Sequence, residues 1–253
     1  MAQAAIQHQV SAGGEQIAFQ RQDGQGPTLM WLGGFKSDMS GAKAQRVAAF
    51  AARTQRAFIR FDYRGHGQSG GAFDTLGIDD WRADALTMID QVASGPLVLI
   101  GSSMGGWMAL LAALARPQRV AGLYLIAPAP DFTQRLMWDG FPDAVRRAIL
   151  ETGRHERPSA YGDGPYVITK RLIDSGAPFN LLHAPIAIQA PVRILHGMKD
   201  ADVPWRLSLE LADRLVSADV RVSFVKAGDH RLSQPADLDL LEREIAGFLA
   251  ELG

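Results

Sequence analysis

Short apolar runs alternate along this chain with longer stretches whose apolar positions recur every three or four residues. The short runs predict strands near Ile6–Gln9, Ile17–Arg21, Thr28–Leu32, Ala57–Phe61, Leu97–Ile100, Val120–Ile126, Val192–His196 and Val220–Val225. Several of them are apolar throughout, as a strand must be when both faces of its sheet are covered. The periodic stretches predict helices over Ala42–Arg53, Ile78–Val92, Met104–Ala115, Arg206–Leu215 and Pro235–Leu252. Strand and helix in strict alternation give an α/β fold, a mostly parallel central sheet flanked by helices.

One interval breaks the rhythm. Between Pro128 and Pro191 no run matches the strands on either side, and helical patches (Ala144–Glu151, Val167–Asp174) are separated by turns such as Tyr161-Gly-Asp-Gly-Pro165. So long a structureless connection is uncommon in a compact domain. The expectation is a core of residues 1–127 and 192–253, with residues 128–191 inserted before the penultimate strand as a helical lid.

Composition narrows the function classes. The 253 residues are 47% hydrophobic and 21% charged, which is globular rather than disordered. A net charge of −1 gives no electrostatic reason to expect a nucleic-acid partner. The absence of cysteine removes disulfides, thiolate metal sites and a cysteine nucleophile together. Met1–Ser11 shows neither a secretory pattern nor an arginine-rich amphipathic one, and the apolar stretches are too short to span a membrane. A cytoplasmic protein is therefore expected.

The strongest chemical signal is Leu97-Val-Leu-Ile-Gly-Ser-Ser-Met-Gly-Gly-Trp107. An apolar strand runs into Gly101-x-Ser103-x-Gly105 and a helix follows, the setting in which a serine is thrust above a sheet edge on a turn too tight for larger neighbours. Only Ser103, not Ser102, has glycine two residues away on both sides. A serine hydroxyl needs a base to take its proton. Of six histidines, His230 in Ala-Gly-Asp-His-Arg-Leu falls after the last strand, where the order Ser…Asp…His requires it. None of the histidines has a partner at metal-ligand spacing, so neither a metal nor another cofactor is expected.

His196-Gly-Met-Lys-Asp-Ala-Asp-Val-Pro204 offers Asp200 and Asp202 as the acid that orients the base. Asp200 is preferred on its distance from the strand-end glycine, with Asp202 as the alternative. The backbone N–H of Met104 and of Phe35, in the loop Gly33-Gly-Phe-Lys-Ser37, would stabilise an oxyanion, with Gly34 the near alternative to Phe35. Trp107, Met137, Trp138, Val203 and Leu232 are expected to contact substrate. Asp62-Tyr-Arg-Gly-His-Gly-Gln-Ser69 lacks the spacing of a phosphate loop and reads as structural.

With these residues placed, the chain resembles the α/β-hydrolase family along nearly its whole length. It resembles one branch in particular, that of abhydrolase domain-containing protein ten, palmitoyl-protein thioesterases and acyl-glucuronide esterases of animal mitochondria. The similar stretches are Ile59–Tyr63, Gly101–Trp107, Leu181–Ile186, Ile194–Asp200 with Val203–Trp205, and Gly228–Arg231. The resemblance implies the same roles for Ser103, Asp200 and His230. It also implies hydrolysis of acyl esters or thioesters, long-chain S-acyl groups and acyl glucuronides among them, on a small molecule or an acylated protein. Rival readings are another serine-dependent chemistry of the fold (perhydrolysis, carbon–carbon hydrolysis), or a slow ligand-sensing or scaffold protein.

Overall fold

The computed structural model describes residues 5–157 and 166–253. The first four residues and the turn Tyr161–Pro165 lie outside them. Among the described residues, strands β1 (Gln7–Val10), β2 (Gln16–Gln22), β3 (Gln25–Leu32), β4 (Arg56–Phe61), β5 (Leu97–Ser102), β6 (Val120–Ile126), β9 (Val192–Gly197) and β10 (Val220–Val225) build one sheet. Its order is β1-β2-β4-β3-β5-β6-β9-β10. The first two strands run antiparallel to their neighbours and the rest are parallel. Each expected strand is present.

The alternation of side chains along β5 and β6 explains why both are apolar throughout. Leu97, Leu99, Leu123 and Leu125 face one core, shared with α2 (Ile78–Thr87) and α3 (Met104–Ala115). Val98, Ile100, Tyr124 and Ile126 face the other, shared with α1 (Ala42–Arg53) and α7 (Pro235–Glu251). The periodicity of Ile78–Val92 is real, but α2 ends at Thr87 and widens into a π-helical turn over Met88–Val92.

The connection from β6 to β9 departs from the sequence reading. It opens with a π-helical turn, Thr133–Trp138, and continues into α4 (Asp143–Thr152). An antiparallel hairpin follows, with β7 (Arg154–Arg157) paired to β8 (Tyr166–Thr169). The expected helix Val167–Asp174 is thus strand in its first part and helix only in α5 (Lys170–Gly176). The physical reason is local. The Thr169 hydroxyl accepts the Leu172 N–H at 3.0 Å and caps a helix that cannot begin earlier, while the β-branched pair Val167 and Ile168 suits a strand.

Three ties hold this connection, the first within it and the other two to core helices. Asp131, at φ 58°, accepts the N–H groups of Leu181 and Leu182 at 2.7 and 2.9 Å. Ser175 Oγ accepts the Ile78 N–H that opens α2, at 2.9 Å. Trp107 Nε1 donates to the Phe179 carbonyl at 3.1 Å. The last group lies in α3, one helical turn beyond Ser103.

The loop after β4 braces the loop after β3. Asp62 accepts the N–H groups of Met39 and Gln68 at 2.6 and 2.8 Å. His66 lies within 3.1 Å of the Arg64 carbonyl through Nδ1, which therefore carries the proton, and its Nε2 accepts the Lys36 N–H at 3.1 Å. Burial, with the charge of Lys36 adding to it, pushes His66 down to about 4 against the pull of the Arg64 carbonyl. Between pH 6.5 and 4 the unfolded chain therefore binds a proton at His66 that the folded chain refuses. Stability from this group is intact at neutral pH and lost as pH falls, by up to about 3 kcal/mol. Asp84, pushed up to about 6 by burial against the pull of Arg64, acts in the opposite sense over the same range. The comparison of wild type with a variant isolates His66. His66→Gln should lose less Tm between pH 7 and pH 4.5 than the wild type does; equal losses would show that His66 is not held neutral.

Candidate active site

β5 delivers Ser103 at its C-terminal end, and the turn into α3 is built to expose it. Ser103 has φ 55° and ψ −117°, a conformation that side-chain-bearing residues rarely adopt. Three hydrogen bonds hold it there. Its N–H donates to the Ile126 carbonyl at 2.9 Å, and its carbonyl accepts from Gly106 at 2.9 Å and Ala129 at 3.1 Å. The flanking glycines are required sterically. A Cβ on Gly101 would overlap the Gly105 carbonyl, and one on Gly105 would overlap the Leu32 carbonyl at the end of β3. Gly34 brings the loop after β3 near as well, though less tightly, since a Cβ there would lie 3.3 Å from the Ser102 carbonyl and 3.5 Å from the Ser103 Cβ. Met104 is the first residue of α3, so its N–H has no intrahelical acceptor. Phe35 and Met104 both line the space in front of Ser103.

Two further loops meet over the neighbouring strand ends. β9 and β10 pair in parallel so that His196 stands opposite Phe224 and Gly197 opposite Val225. A Cβ on Gly197 would overlap the Gly228 and Asp229 carbonyls, so only glycine lets the loop after β10 lie against the end of β9. The Lys199 N–H then donates to the Gly228 carbonyl at 2.8 Å. This contact brings Asp200 and His230 together. His230 Nδ1 lies 2.7 Å from Asp200 Oδ2, and His230 Nε2 lies 3.1 Å from Ser103 Oγ. A carboxylate can only accept, so Nδ1 carries the proton and the Nε2 lone pair faces the serine hydroxyl.

Asp200 has a fully buried side chain. Burial raises its carboxyl, but hydrogen bonds from His196, His230 and the Val203 N–H, with the charge of His230, outweigh that and hold it well below the usual carboxylate range. Asp202, the alternative acid, is exposed, and its own N–H donates to Asp200 Oδ1 at 2.9 Å. Asp229 is occupied elsewhere, accepting the Leu232 N–H at 2.9 Å. Asp200, Asp202 and His230 carry potential metal-ligand atoms within 4.8 Å of one another. Every lone-pair direction of Asp200 is nevertheless spent on protein donors: Asp202 and Val203 N–H on Oδ1, His196 and His230 on Oδ2.

A cleft of about 420 Å³ opens over Ser103 and His230. Its lining mixes apolar residues, Phe35, Ala129, Phe132, Leu136, Met137 and Ile168 among them, with polar ones, Lys36, Ser37, Asp38, Lys43, Asp202 and Arg231. Burial and the charge of Arg231 push the Lys43 ammonium down to about 8, against the pull of Asp229, Asp200 and Asp237.

The family described as Hydrolase_4, "Serine aminopeptidase, S33", matches residues 8–161. Rat mitochondrial palmitoyl-protein thioesterase ABHD10 is 42% identical over 228 residues, 89% of this chain and 76% of the relative. The human protein of that name is 38% identical over 237 residues, 93% of this chain and 77% of the relative. The solved structure of mouse alpha/beta hydrolase domain-containing protein 10 superposes with a TM-score of 0.91 at 38% identity, covering 99% of this chain and all of the other. The chain belongs to the α/β-hydrolase family. It is a serine hydrolase of the ester- and thioester-cleaving kind.

For this hydrolase the cytoplasmic expectation is overturned, because its similar animal relatives are named as mitochondrial proteins. That expectation rested on composition and eleven N-terminal residues, neither of which is an address. Of the expected substrate contacts, the α/β-hydrolase cleft takes up Met137 and Val203. Trp107 is fully buried against Phe132. Trp138 packs on Phe141, Ile149 and Ile168 inside the β6–β9 connection. Leu232 is buried in the core beneath α7. All three are large apolar residues, and packing claims them first, Trp107 and Leu232 as buried core and Trp138 as a partly buried flank of its cluster. Ile168 and Lys43, also in the lining, had no signal in the sequence beyond being apolar or charged.

The steric account of the turn is testable. Gly105→Ala should destabilise the hydrolase and lower its esterase kcat by at least about tenfold, since either the Leu32 carbonyl or Ser103 must move and a displacement of that size costs on the order of a hundredfold. Wild-type activity and Tm in that variant would contradict the crowding at Gly105.

Proposed function

We propose that Ser103, His230 and Asp200 form the catalytic triad of an acyl-ester and acyl-thioester hydrolase that works through an acyl-enzyme. The observation that carries this is the unbroken chain from Ser103 Oγ through His230 to buried Asp200, at 3.1 and 2.7 Å. Ser103 Oγ attacks the acyl carbonyl as His230 Nε2 takes its proton. Asp200 holds the ring and stabilises the imidazolium that forms. The N–H groups of Phe35 and Met104 receive the oxyanion. His230 then returns its proton to the leaving oxygen or sulfur, and water activated by the same nitrogen releases the acid.

The apolar residues of the cleft take the acyl chain and the polar ones face the leaving group. Support comes from the presence of both kinds in its lining. Palmitoyl-protein thioesterase, the name carried by the relatives, is the activity of a site with such a lining. In this reading the β6–β9 connection serves as a lid over the acyl side.

A fluorophosphonate probe should label Ser103, and Ser103→Ala should lower kcat by roughly 10⁴–10⁶-fold. Asp200→Asn should cost on the order of 10⁴-fold and Asp202→Asn far less. Near-normal turnover by Ser103→Ala would sink the triad, and a reversal of the two aspartate variants would move the acid to Asp202.

Acyl-chain binding has its own test. Along a series of aryl esters and thioesters from acetyl upward, each methylene buried against those apolar residues should contribute up to ~0.8 kcal/mol, about fourfold in kcat/KM, until they are covered. Met137→Ala should flatten the series. A preference for acetyl unaltered by Met137→Ala would show that these residues do not hold the acyl chain.

A further inference from the structure

Asp200 is gripped from two sides, and the second grip is not part of the triad. His196, fully buried at the end of β9, places Nε2 3.0 Å from Asp200 Oδ2, the same oxygen that meets His230. Nε2 also lies 3.1 Å from the Val203 carbonyl. Both neighbours are acceptors, so Nε2 must carry a proton and share it between them. On the other side of the ring, Nδ1 lies 2.7 Å from the Ser208 hydroxyl on α6 (Arg206–Arg214), which is also fully buried. A hydroxyl can donate to that nitrogen, which leaves the ring with one proton, on Nε2, and no charge to compete with His230 for the carboxylate.

Resting on the triad reading above, we propose that His196 is a positioning residue, an imidazole donor that fixes how Asp200 presents Oδ2 to His230. The rest of the carboxylate is already committed. Oδ1 accepts the N–H groups of Asp202 and Val203 at 2.9 and 2.7 Å. With His196 on one lone pair of Oδ2, a single acceptor direction remains, and it points at His230 Nδ1. The donor also draws electron density from Oδ2, which limits how strongly Asp200 stabilises the imidazolium and leaves His230 free to release its proton to the leaving group. Besides His230, the charged groups near Asp200 are the Asp202 carboxylate, with a ligand atom within 4.8 Å of those of Asp200 and His230, and Lys43, from α1. Lys43 bears on the carboxylate without a hydrogen bond to it and cannot replace the donor.

The test is the pH profile of an aryl-ester substrate with the whole protein, beside Ser103→Ala as the control for the triad. His196→Phe keeps a ring but removes the donor. It should lower kcat roughly ten- to a hundredfold, the loss of one hydrogen bond to a charged group, with KM little changed. The acid limb of kcat/KM should move to higher pH, because an unshared Oδ2 holds the imidazolium more tightly. His196→Gln, whose amide can place an N–H near the position of Nε2, should recover most of the loss and return the limb towards its wild-type place. If His196→Phe does not fold, Ser208→Ala decides, and it should move the limb in the same direction to a smaller extent. A wild-type limb in the folded His196→Phe protein, or in Ser208→Ala where that variant decides, overturns the proposal. So does a Gln variant no better than Phe. Activity surviving in Ser103→Ala would instead overturn the triad reading itself, so the two failures are separable.

Discussion

Ser103 stands clear of the sheet because the first turn of α3 lies directly on the carbonyls that end β3. No side chain fits at Gly105 against Leu32, and none fits at Gly101 against Gly105. The consequence is a backbone held at φ 55° by neighbours on three sides: β6 through Ile126, the turn of α3 through Gly106, and the start of the β6–β9 connection through Ala129. Strain of this kind persists only where the surroundings over-determine it. Here the parallel register of β3, β5 and β6 does so, which ties the exposure of one hydroxyl to the central half of the sheet.

The second half of the site obeys the same logic on the neighbouring pair of strands. Gly197 against Gly228 and Asp229 sets the distance between two loops that differ by thirty residues in sequence, and the Asp200–His230 contact follows from it. An unpaired carboxylate buried as deeply as Asp200 would cost several kcal/mol and would take up a proton instead. Four donors converge on it, two from backbone and two from imidazoles, and the carboxyl is held ionised as a result. Asp202 is exposed, and that difference in surroundings separates the two acids.

Much of this was legible before any coordinates. The eight sheet strands, the five core helices and the meeting of Ser103, Asp200 and His230 follow from apolar runs, from the two glycines around Ser103 and from the order of the loops. What was hidden has physical reasons. β7 and β8 pair residues that carry no alternating pattern, so Arg154–Arg157 gave no strand signal and Val167–Thr169 merged with the helix behind it. Trp107, Trp138 and Leu232 were drawn towards the site by size and apolarity, but those properties equally send a side chain into a core, and here they did. His196 looked like an ordinary strand-end residue because the two acceptors at its Nε2 come together only when the turn after β9 closes.

The apolar and polar residues that line the cleft come largely from different parts of the chain. Lys36, Ser37, Asp38, Lys43 and Arg231 come from loops anchored to β3, α1 and β10, the same elements that fix Ser103 and His230. Phe132, Leu136, Met137 and Ile168 come from the β6–β9 connection. In the proposed mechanism the acyl group stays on Ser103 while the leaving group departs, so the apolar residues remain covered during deacylation and the hydrolytic water must arrive past the polar ones. The polar residues therefore serve both half-reactions, first as the seat of the leaving group and then as the route for water to His230. In that proposal the apolar residues of the β6–β9 connection hold the acyl chain, on a segment tied down through Asp131, Ser175 and Trp107. Exchanges among them would alter which acyl group fits, and so acyl preference can diverge among hydrolases that share this mechanism.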